Sequence, residues 1–268
     1  MPCHRIRANA DRRARGVAGG VLIALCVLCL PAVGAEDPLE PTPPSQAQGV
    51  QTQLVVRARA RGANYVTTDM GVKVTLKDMA TGAVLAEGLT IGNVAGTDPE
   101  LTAAFRTTLA LTGPTRIEAS VRAPLSYPHA SVSVSSTAWV LPGKHITGEG
   151  WVLELPGFVV TLLDAPRAVA LGEDGEQGME VLAKVVMMCG CPTEPGGRWD
   201  SDGYELKAAL VQSGVTVREA TFSYAGEKST YRTRLPVPDA AGHYELVVTA
   251  YDPVTGNVGV TSAPVDVH

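Results

Sequence analysis

Two cysteines separated by one residue, Cys189 and Cys191, are the side chains whose type and spacing point most directly to chemistry. Residues i and i+2 of a β-strand face the same side of the sheet, with their Cα atoms about 6.6–6.8 Å apart. A disulfide tolerates Cα separations of about 4.4–6.8 Å, so a straight strand would hold this pair at the limit unless Gly190 bends the backbone. The first interpretation of the pair is therefore a disulfide or two inert thiols.

The same two sulfurs also suit a soft metal ion. Two thiolates on one face of a strand can chelate Cu(I), and the thioether of Met187 or Met188 can add a further ligand. Met187 also continues an alternating apolar face that includes Val185. This pattern predicts that Met187 packs in the core and does not bind a metal. The sequence leaves copper binding or thiol-redox chemistry as the alternative hypothesis, with Cys189, Cys191, Met188 and Met187 as its residues.

The first 35 residues are typical of a secretory signal peptide. Five arginines precede an apolar run of 14 residues, Val17–Leu30, and small residues lead to a predicted cleavage site after Ala35. A bilayer span needs about 20 apolar residues, so no membrane span is expected once the signal has been removed. An uncleaved anchor is the alternative. We therefore predict a periplasmic or secreted protein.

Removal of residues 1–35 changes both the charge and the cysteine content. It leaves 17 basic against 26 acidic residues, a formal charge of −9, which disfavours nucleic acid as a partner because phosphate backbones would be repelled. Only Cys189 and Cys191 of the five cysteines remain, so the fold must rest on apolar cores. No metalloprotease, serine-hydrolase or phosphate-loop motif occurs, and the histidines are scattered, so no catalytic residue and no enzyme is predicted.

The chain beyond the signal divides into a linker and a long β-patterned part. Residues 36–50 contain four prolines and predict a disordered, Pro-rich linker. From about residue 51 apolar and polar residues alternate with a period of two, as in Val72–Leu76, and sustained helical spacing is absent. This pattern predicts an all-β protein of two tandem β-sandwich domains, residues 51–155 and 156–268, the second of them immunoglobulin-like.

Two segments resemble known β-sandwich modules. The segment Val72–Gly88 resembles the opening hairpin of carboxypeptidase-regulatory and transthyretin-like modules. The segment Asp239–Val260 resembles the last hairpin of bacterial immunoglobulin-like and fibronectin-III-like modules. This second resemblance implies that Tyr244 forms a tyrosine corner and that Gly256 and Asn257 accept positive φ in the turn between the strands. It implies a fold and no activity.

These observations lead to two hypotheses about function. The first is an exported, non-catalytic binding or accessory module that contacts a protein partner, because catalytic motifs are missing from a fold that often serves binding. The second is the copper-binding or thiol-redox protein centred on Cys189 and Cys191. In both, the 192–203 loop and Trp199 are expected to cover the cysteine pair.

Overall fold

The computed structural model describes residues 48–92, 98, 101–171 and 178–268. The predicted signal peptide, residues 1–35, and nearly all of the predicted linker lie outside the described residues. No helix in the described part of the chain has the length and apolar character needed to cross a membrane.

The described residues form strands and three short 3₁₀ turns, which confirms the all-β prediction. The strands are β1 (Val50–Ala60), β2 (Lys73–Asp78), β3 (Val84–Leu89), β4 (Phe105–Leu111), β5 (Thr115–Ala123), β6 (Val132–Val140), β7 (Ile146–Leu155), β8 (Phe158–Asp164), β9 (Ala168–Val169), β10 (Gly178–Met187), β11 (Glu205–Gln212), β12 (Val215–Thr221), β13 (Ser223–Tyr224), β14 (Thr230–Pro236), β15 (Gly242–Asp252) and β16 (Asn257–Val267). The 3₁₀ turns are Thr68–Met70, Pro128–Ala130 and Ser201–Gly203.

The strands pair into four sheets that pack as β-sandwiches, and this confirms the predicted fold class. The first seven strands form the sheets β4-β1-β7 and β3-β2-β5-β6. The later strands form β13-β14-β10-β8 and β12-β11-β15-β16-β9. Within the described residues, every sheet draws its strands from only one of these two sets. The division into separate domains at 51–155 and 156–268 stays a prediction.

Period-two alternation explains which faces are buried. Val74 and Leu76 of β2 and Ile117 of β5 are fully buried, whereas the lysines that alternate with them in β2 are exposed. In the later strands, Leu206 and Leu246 point inward in the same way. Each such side chain contributes roughly 1.5–3 kcal/mol when it leaves water, so these faces hold the sheets together.

Tyr244 forms the predicted tyrosine corner. Its ring is buried, and its hydroxyl donates a hydrogen bond of 2.9 Å to the carbonyl oxygen of Ala240. This hydrogen bond joins the start of β15 to the loop that precedes it. The resemblance-based role of this residue is confirmed.

Replacing Tyr244 by phenylalanine should lower the free energy of unfolding by about 1 kcal/mol, since the Ala240 carbonyl oxygen loses its donor while the ring stays in place. Urea denaturation of the folded protein measures the change. Tyr251→Phe is the matched control, because Tyr251 lies on the same strand with its side chain 39% exposed. Equal effects of the two substitutions would contradict the corner role.

The turn between β15 and β16 differs from its prediction at one residue. Gly256 has a φ of 71°, as predicted, but Asn257 does not have positive φ and is the first residue of β16. Its side chain is fully buried, and it hydrogen-bonds to Gly157 and Arg61 instead of shaping the turn. The predicted backbone role of Asn257 is therefore wrong, because long-range hydrogen bonds determine this position.

Candidate functional site

The cysteine pair lies in a tight turn immediately after β10. The strand ends at Met187, whose carbonyl oxygen accepts a 2.8 Å hydrogen bond from the Gly190 amide and whose amide donates a 3.0 Å bond to the carbonyl oxygen of Cys191. Gly190 has a φ of 81°, a conformation open to glycine without a steric penalty. The chain therefore bends at Gly190, as the disulfide interpretation required, and the same-face geometry of a straight strand does not apply to the pair.

The bend brings the cysteines together as a disulfide. The Cα atoms of Cys189 and Cys191 are 5.3 Å apart, within the range that a disulfide accepts, and the two sulfurs are bonded. Cys189 is 1% exposed and Cys191 is 5% exposed. The two thiolates that would chelate Cu(I) exist only after a two-electron reduction of this bond.

The two methionines before the pair are both buried. The Met187 sulfur accepts a weak 3.9 Å hydrogen bond from the Tyr204 hydroxyl, and the Tyr204 ring lies 5.0 Å from that of Phe158. Burial raises the pKa of Tyr204 to about 12, so the hydroxyl stays a neutral donor at physiological pH. Met188 is buried next to Gly157. Met187 thus packs in the core, as its alternating pattern suggested.

The four-residue copper site stays a prediction. Among the described residues, no group of three or more His, Cys, Asp or Glu side chains is placed to hold one metal ion. Reduction would supply two thiolates at Cys189 and Cys191, and Met188 is the nearest thioether in sequence. That set would supply soft sulfur ligands of the kind that Cu(I) prefers.

The segment after the disulfide is anchored by a buried polar network. The Thr193 hydroxyl donates to the Val185 carbonyl oxygen at 2.7 Å and lies 2.8 Å from the Tyr231 hydroxyl. The backbone of Thr193 also exchanges hydrogen bonds with Ser229. Further along, the Asp200 carboxylate accepts backbone hydrogen bonds that fold the loop on itself. The loop is therefore held firmly beside the disulfide turn.

A cavity of about 440 Å³ lies next to the disulfide. One wall is the disulfide turn, from Cys189 to Pro192, together with Trp199. The opposite wall comes from residues 64–70, which connect β1 to β2. Trp199 thus lies beside the cysteine pair, as predicted, but as part of a cavity wall. The segment 64–70 was not recognised in the sequence, since it carries no motif and lies more than a hundred residues from the cysteines.

Asn64 is the polar residue most deeply buried in this cavity wall, with 5% of its surface exposed. Its Nδ2 lies 3.7 Å from the Cys191 sulfur, a weak hydrogen bond. A disulfide sulfur has no hydrogen to donate, so the amide must present its N–H to the sulfur and its Oδ1 elsewhere. The Oδ1 atom is buried without a hydrogen-bond partner in the described structure. Such an orphaned acceptor costs about 1–3 kcal/mol.

The remaining polar residues at the cavity are Thr67 and Asp69. Asp69 is exposed, and no ion pair engages its carboxylate within the described residues. The Arg198 guanidinium stacks on the Trp199 ring, 5.1 Å from its centroid, but Arg198 does not line the cavity. The cavity therefore offers one hydroxyl and one negative charge to a ligand.

The disulfide gives a direct chemical prediction. Protein purified without reductant should show no alkylatable thiol in denaturant and a mass two hydrogens below that of the dithiol form. Replacing both cysteines by serine should cost only about 1.5 kcal/mol of unfolding free energy, since the bond closes a very short loop. Two alkylated thiols in the unreduced protein would contradict the disulfide and favour the copper-binding alternative.

No family model matches this sequence, and neither does any curated protein. Among solved structures, the chain is similar to the fibronectin(III)-like modules of Clostridium thermocellum CbhA, with 15% identity over 81% of this chain and 92% of that one, at a TM-score of 0.26. It is also similar to the ICAM-5 D1–D4 ectodomain fragment, with 17% identity over 85% of this chain and 52% of that one, at a TM-score of 0.28. The chicken CNTN1 FN1–FN3 domains show 11% identity over 83% and 64%, at a TM-score of 0.23.

These neighbours are fibronectin-III-like and immunoglobulin-like domains. The similarity concerns the fold alone.

Proposed function

We propose that this chain is an exported, non-catalytic binding module that acts through protein–protein contacts in the periplasm or at the cell exterior, with the cavity beside the disulfide as its recognition site. The observation that carries the proposal is a preformed cavity with the disulfide turn and Trp199 on one side and residues 64–70 on the other. Its volume of about 440 Å³ falls in the usual range of ligand sites, about 300–1,000 Å³.

The cavity walls are supported from behind. The disulfide closes the turn at Cys189 and Cys191, and the Thr193 network ties the following residues to Val185 and Tyr231. A site with fixed walls pays little ordering entropy when it binds, which favours recognition over induced folding. A disulfide is also stable in the oxidising compartments to which residues 1–35 are predicted to direct the chain.

Two of the four described histidines, His129 and His145, form hydrogen bonds with backbone groups. His129 donates from Nε2 to the Val160 carbonyl oxygen at 2.8 Å, and His145 accepts at Nδ1 from the Gln53 amide at 3.0 Å. Both rings are thus bound to the backbone. Neither of these residues lines the cavity.

A site-specific cross-linking experiment tests the proposal. We expect the full protein, expressed in its exporting cell with the photoreactive residue p-benzoylphenylalanine in place of Thr67, to form one discrete adduct with another protein. The same substitution at Val215, which is 63% exposed on the hairpin between β11 and β12, is the matched control and should not form it. Excess unmodified protein should abolish the adduct, and excess protein with Trp199→Ala should not.

Three results would contradict the proposal. One is an identical adduct from positions 67 and 215, and another is no adduct from position 67. The third is a turnover activity of the purified protein that a single side-chain replacement eliminates.

A further inference from the structure

We infer that the outer face of the sheet β3-β2-β5-β6 is a second interaction surface, which binds a short acidic segment of a partner protein in an extended conformation. This surface is separate from the cavity beside the disulfide, because none of the described side chains that form it lines the cavity. The inference therefore goes beyond the proposed function, and neither depends on the other.

The outer face of this sheet is open to solvent and is rich in cations. Period-two alternation buries Val74, Leu76 and Ile117 against the core and turns the residues between them outward. The charged side chains on the outer face are the cations Lys73, Lys77, Arg116 and Arg122 and the carboxylates Glu87 and Glu118. The face thus has an excess of positive charge, although the chain as a whole has a formal charge of −5.

Two of the four cations have a carboxylate as their neighbour on the next strand. Lys73 forms an ion pair with Glu87, with 3.1 Å between the nitrogen and the oxygen. Lys77 lies directly opposite Glu118 in the pairing of β2 with β5. The charge that is left over is therefore that of the two arginines of β5.

Arg116 and Arg122 form no ion pair with any acidic side chain of the described residues. Arg122 lies directly opposite Lys73, and like charges in that position destabilise a sheet. Its Nε donates to the Ser131 hydroxyl at 3.3 Å, which leaves the charge exposed. A carboxylate above the sheet would lie near both cations and reduce their repulsion, so this surface selects an anionic ligand.

Trp139 adds an apolar contact beside one of the two arginines. It lies on β6 directly opposite Arg116, and 66% of it is exposed. Tryptophan and arginine are among the residue types that contribute most to binding energy in protein interfaces. A partner that covers the indole gains the free energy of removing it from water.

Hydroxyl groups between the charges favour a protein segment over a membrane or a long polyanion. They belong to Thr75, Ser120, Ser133, Ser135 and Thr137. Such groups can donate hydrogen bonds to a peptide and accept them from it, whereas a membrane contact needs a larger apolar area than one indole provides. A nucleic acid or acidic polysaccharide would also be repelled by the rest of this acidic chain.

The spacing of the two arginines predicts the spacing of the acidic side chains in the segment. Arg116 and Arg122 lie six positions apart on β5, which corresponds to about 20 Å along a strand. An extended peptide has the same repeat, and its residues i and i+6 face the same side. A segment of about seven residues with an acidic side chain at each end therefore matches this face.

Titration of the intact, disulfide-bonded protein by nuclear magnetic resonance tests the inference. The probe is a capped eight-residue peptide in which glutamate and serine alternate, and its counterpart has glutamine in place of every glutamate. The glutamate peptide should shift the Trp139 indole and Arg122 Nε resonances and should bind about tenfold more tightly than the glutamine peptide. Added salt should weaken the glutamate peptide more than its counterpart.

Removal of the two arginine charges provides the second arm. Arg116→Gln combined with Arg122→Gln should weaken the glutamate peptide about tenfold and leave the glutamine peptide unchanged. The matched control combines Lys184→Gln with Arg234→Gln, which removes two charges from exposed positions of β10 and β14 and should change neither affinity. All four side chains are exposed, so both variants should keep the dispersed amide spectrum of the folded protein.

Three results would overturn the inference. They are equal binding of the two peptides, no shift at Trp139 with either peptide, and equal weakening by the arginine variant and its control. Binding of the intact protein to phosphatidylglycerol vesicles that is lost in the arginine variant would also overturn it, in favour of a membrane. The cross-link from position 67 reports on the cavity and is independent of these outcomes.

Discussion

Replacing Arg57 by alanine is expected to lower the free energy of unfolding by about 3 kcal/mol. Arg57 lies in the middle of β1 and is 1% exposed, the largest fully buried side chain in the described residues. A buried guanidinium is stable only where nearby groups replace the water it has lost. The structure supplies those groups from β7 and from Tyr65.

An irregularity in β7 creates the acceptors for Arg57. The pairing of β7 with β1 jumps from Ile146 to Trp151, so the intervening residues bulge outward. The Arg57 Nη1 donates to the carbonyl oxygens of Gly148 at 2.7 Å and Glu149 at 2.5 Å. Gly148 has a φ of 68°, which favours glycine at this position.

Tyr65 and Glu149 complete the environment of the cation. The Tyr65 ring lies 6.0 Å from the guanidinium carbon, and its hydroxyl donates to the Glu149 carboxylate at 2.9 Å. Burial, followed by this hydrogen bond to an anion, raises the pKa of Tyr65. The Arg57→Ala change would therefore remove a packed side chain and two charge-assisted hydrogen bonds together.

Urea denaturation of the Arg57 variants measures this effect. Arg57→Met keeps most of the volume and should lose less stability than Arg57→Ala, which separates packing from hydrogen bonding. The control is Arg59→Ala on the same strand, where a side chain 41% exposed pairs with Glu154; we expect less than about 0.5 kcal/mol there. An Arg57→Ala loss as small as that of Arg59→Ala would contradict the buried-cation interpretation.

Period-two alternation predicted the strands well because one buried face leaves a local record in the sequence. Val74, Leu76 and Ile117 are buried as that pattern requires. The tyrosine corner was also predictable, since Tyr244 bonds to a residue only four positions away. Met187 followed the apolar face of β10 into the core.

The features that the sequence did not predict depend on contacts between distant segments. Arginine is usually exposed, so the sequence indicates a surface position for Arg57. Its burial depends on acceptors in the β7 bulge, about ninety residues away in the chain. Asn64 meets the cysteines only through tertiary packing. By contrast, the bend at the cysteine pair was indicated locally, because glycine at position 190 can take the positive φ that the turn requires.

Replacing Asn257 is expected to have an effect of similar size, because this one side chain joins three distant segments. It is fully buried at the start of β16. Its Nδ2 donates to the Arg61 carbonyl oxygen at 3.1 Å, and its Oδ1 accepts from the Gly157 amide at 2.8 Å. Arg61 follows β1, and Gly157 lies between β7 and β8, so the amide connects the earlier set of strands to the later one.

Asn257→Ala should cost about 3 kcal/mol of unfolding free energy, because it orphans a donor at Gly157 and an acceptor at Arg61. Asn257→Asp keeps the acceptor for Gly157 but places a carboxylate against the Arg61 carbonyl oxygen. Amide hydrogen exchange distinguishes the two variants. The Gly157 amide should exchange faster in the alanine variant than in the aspartate variant, although both variants lose stability. Ser262→Ala, at an exposed position of the same strand, should change neither quantity. If Gly157 exchanges equally in both Asn257 variants, the amide does not hold that backbone, and the connection between the two sets of strands must rest on their other contacts, such as that of His129 with Val160.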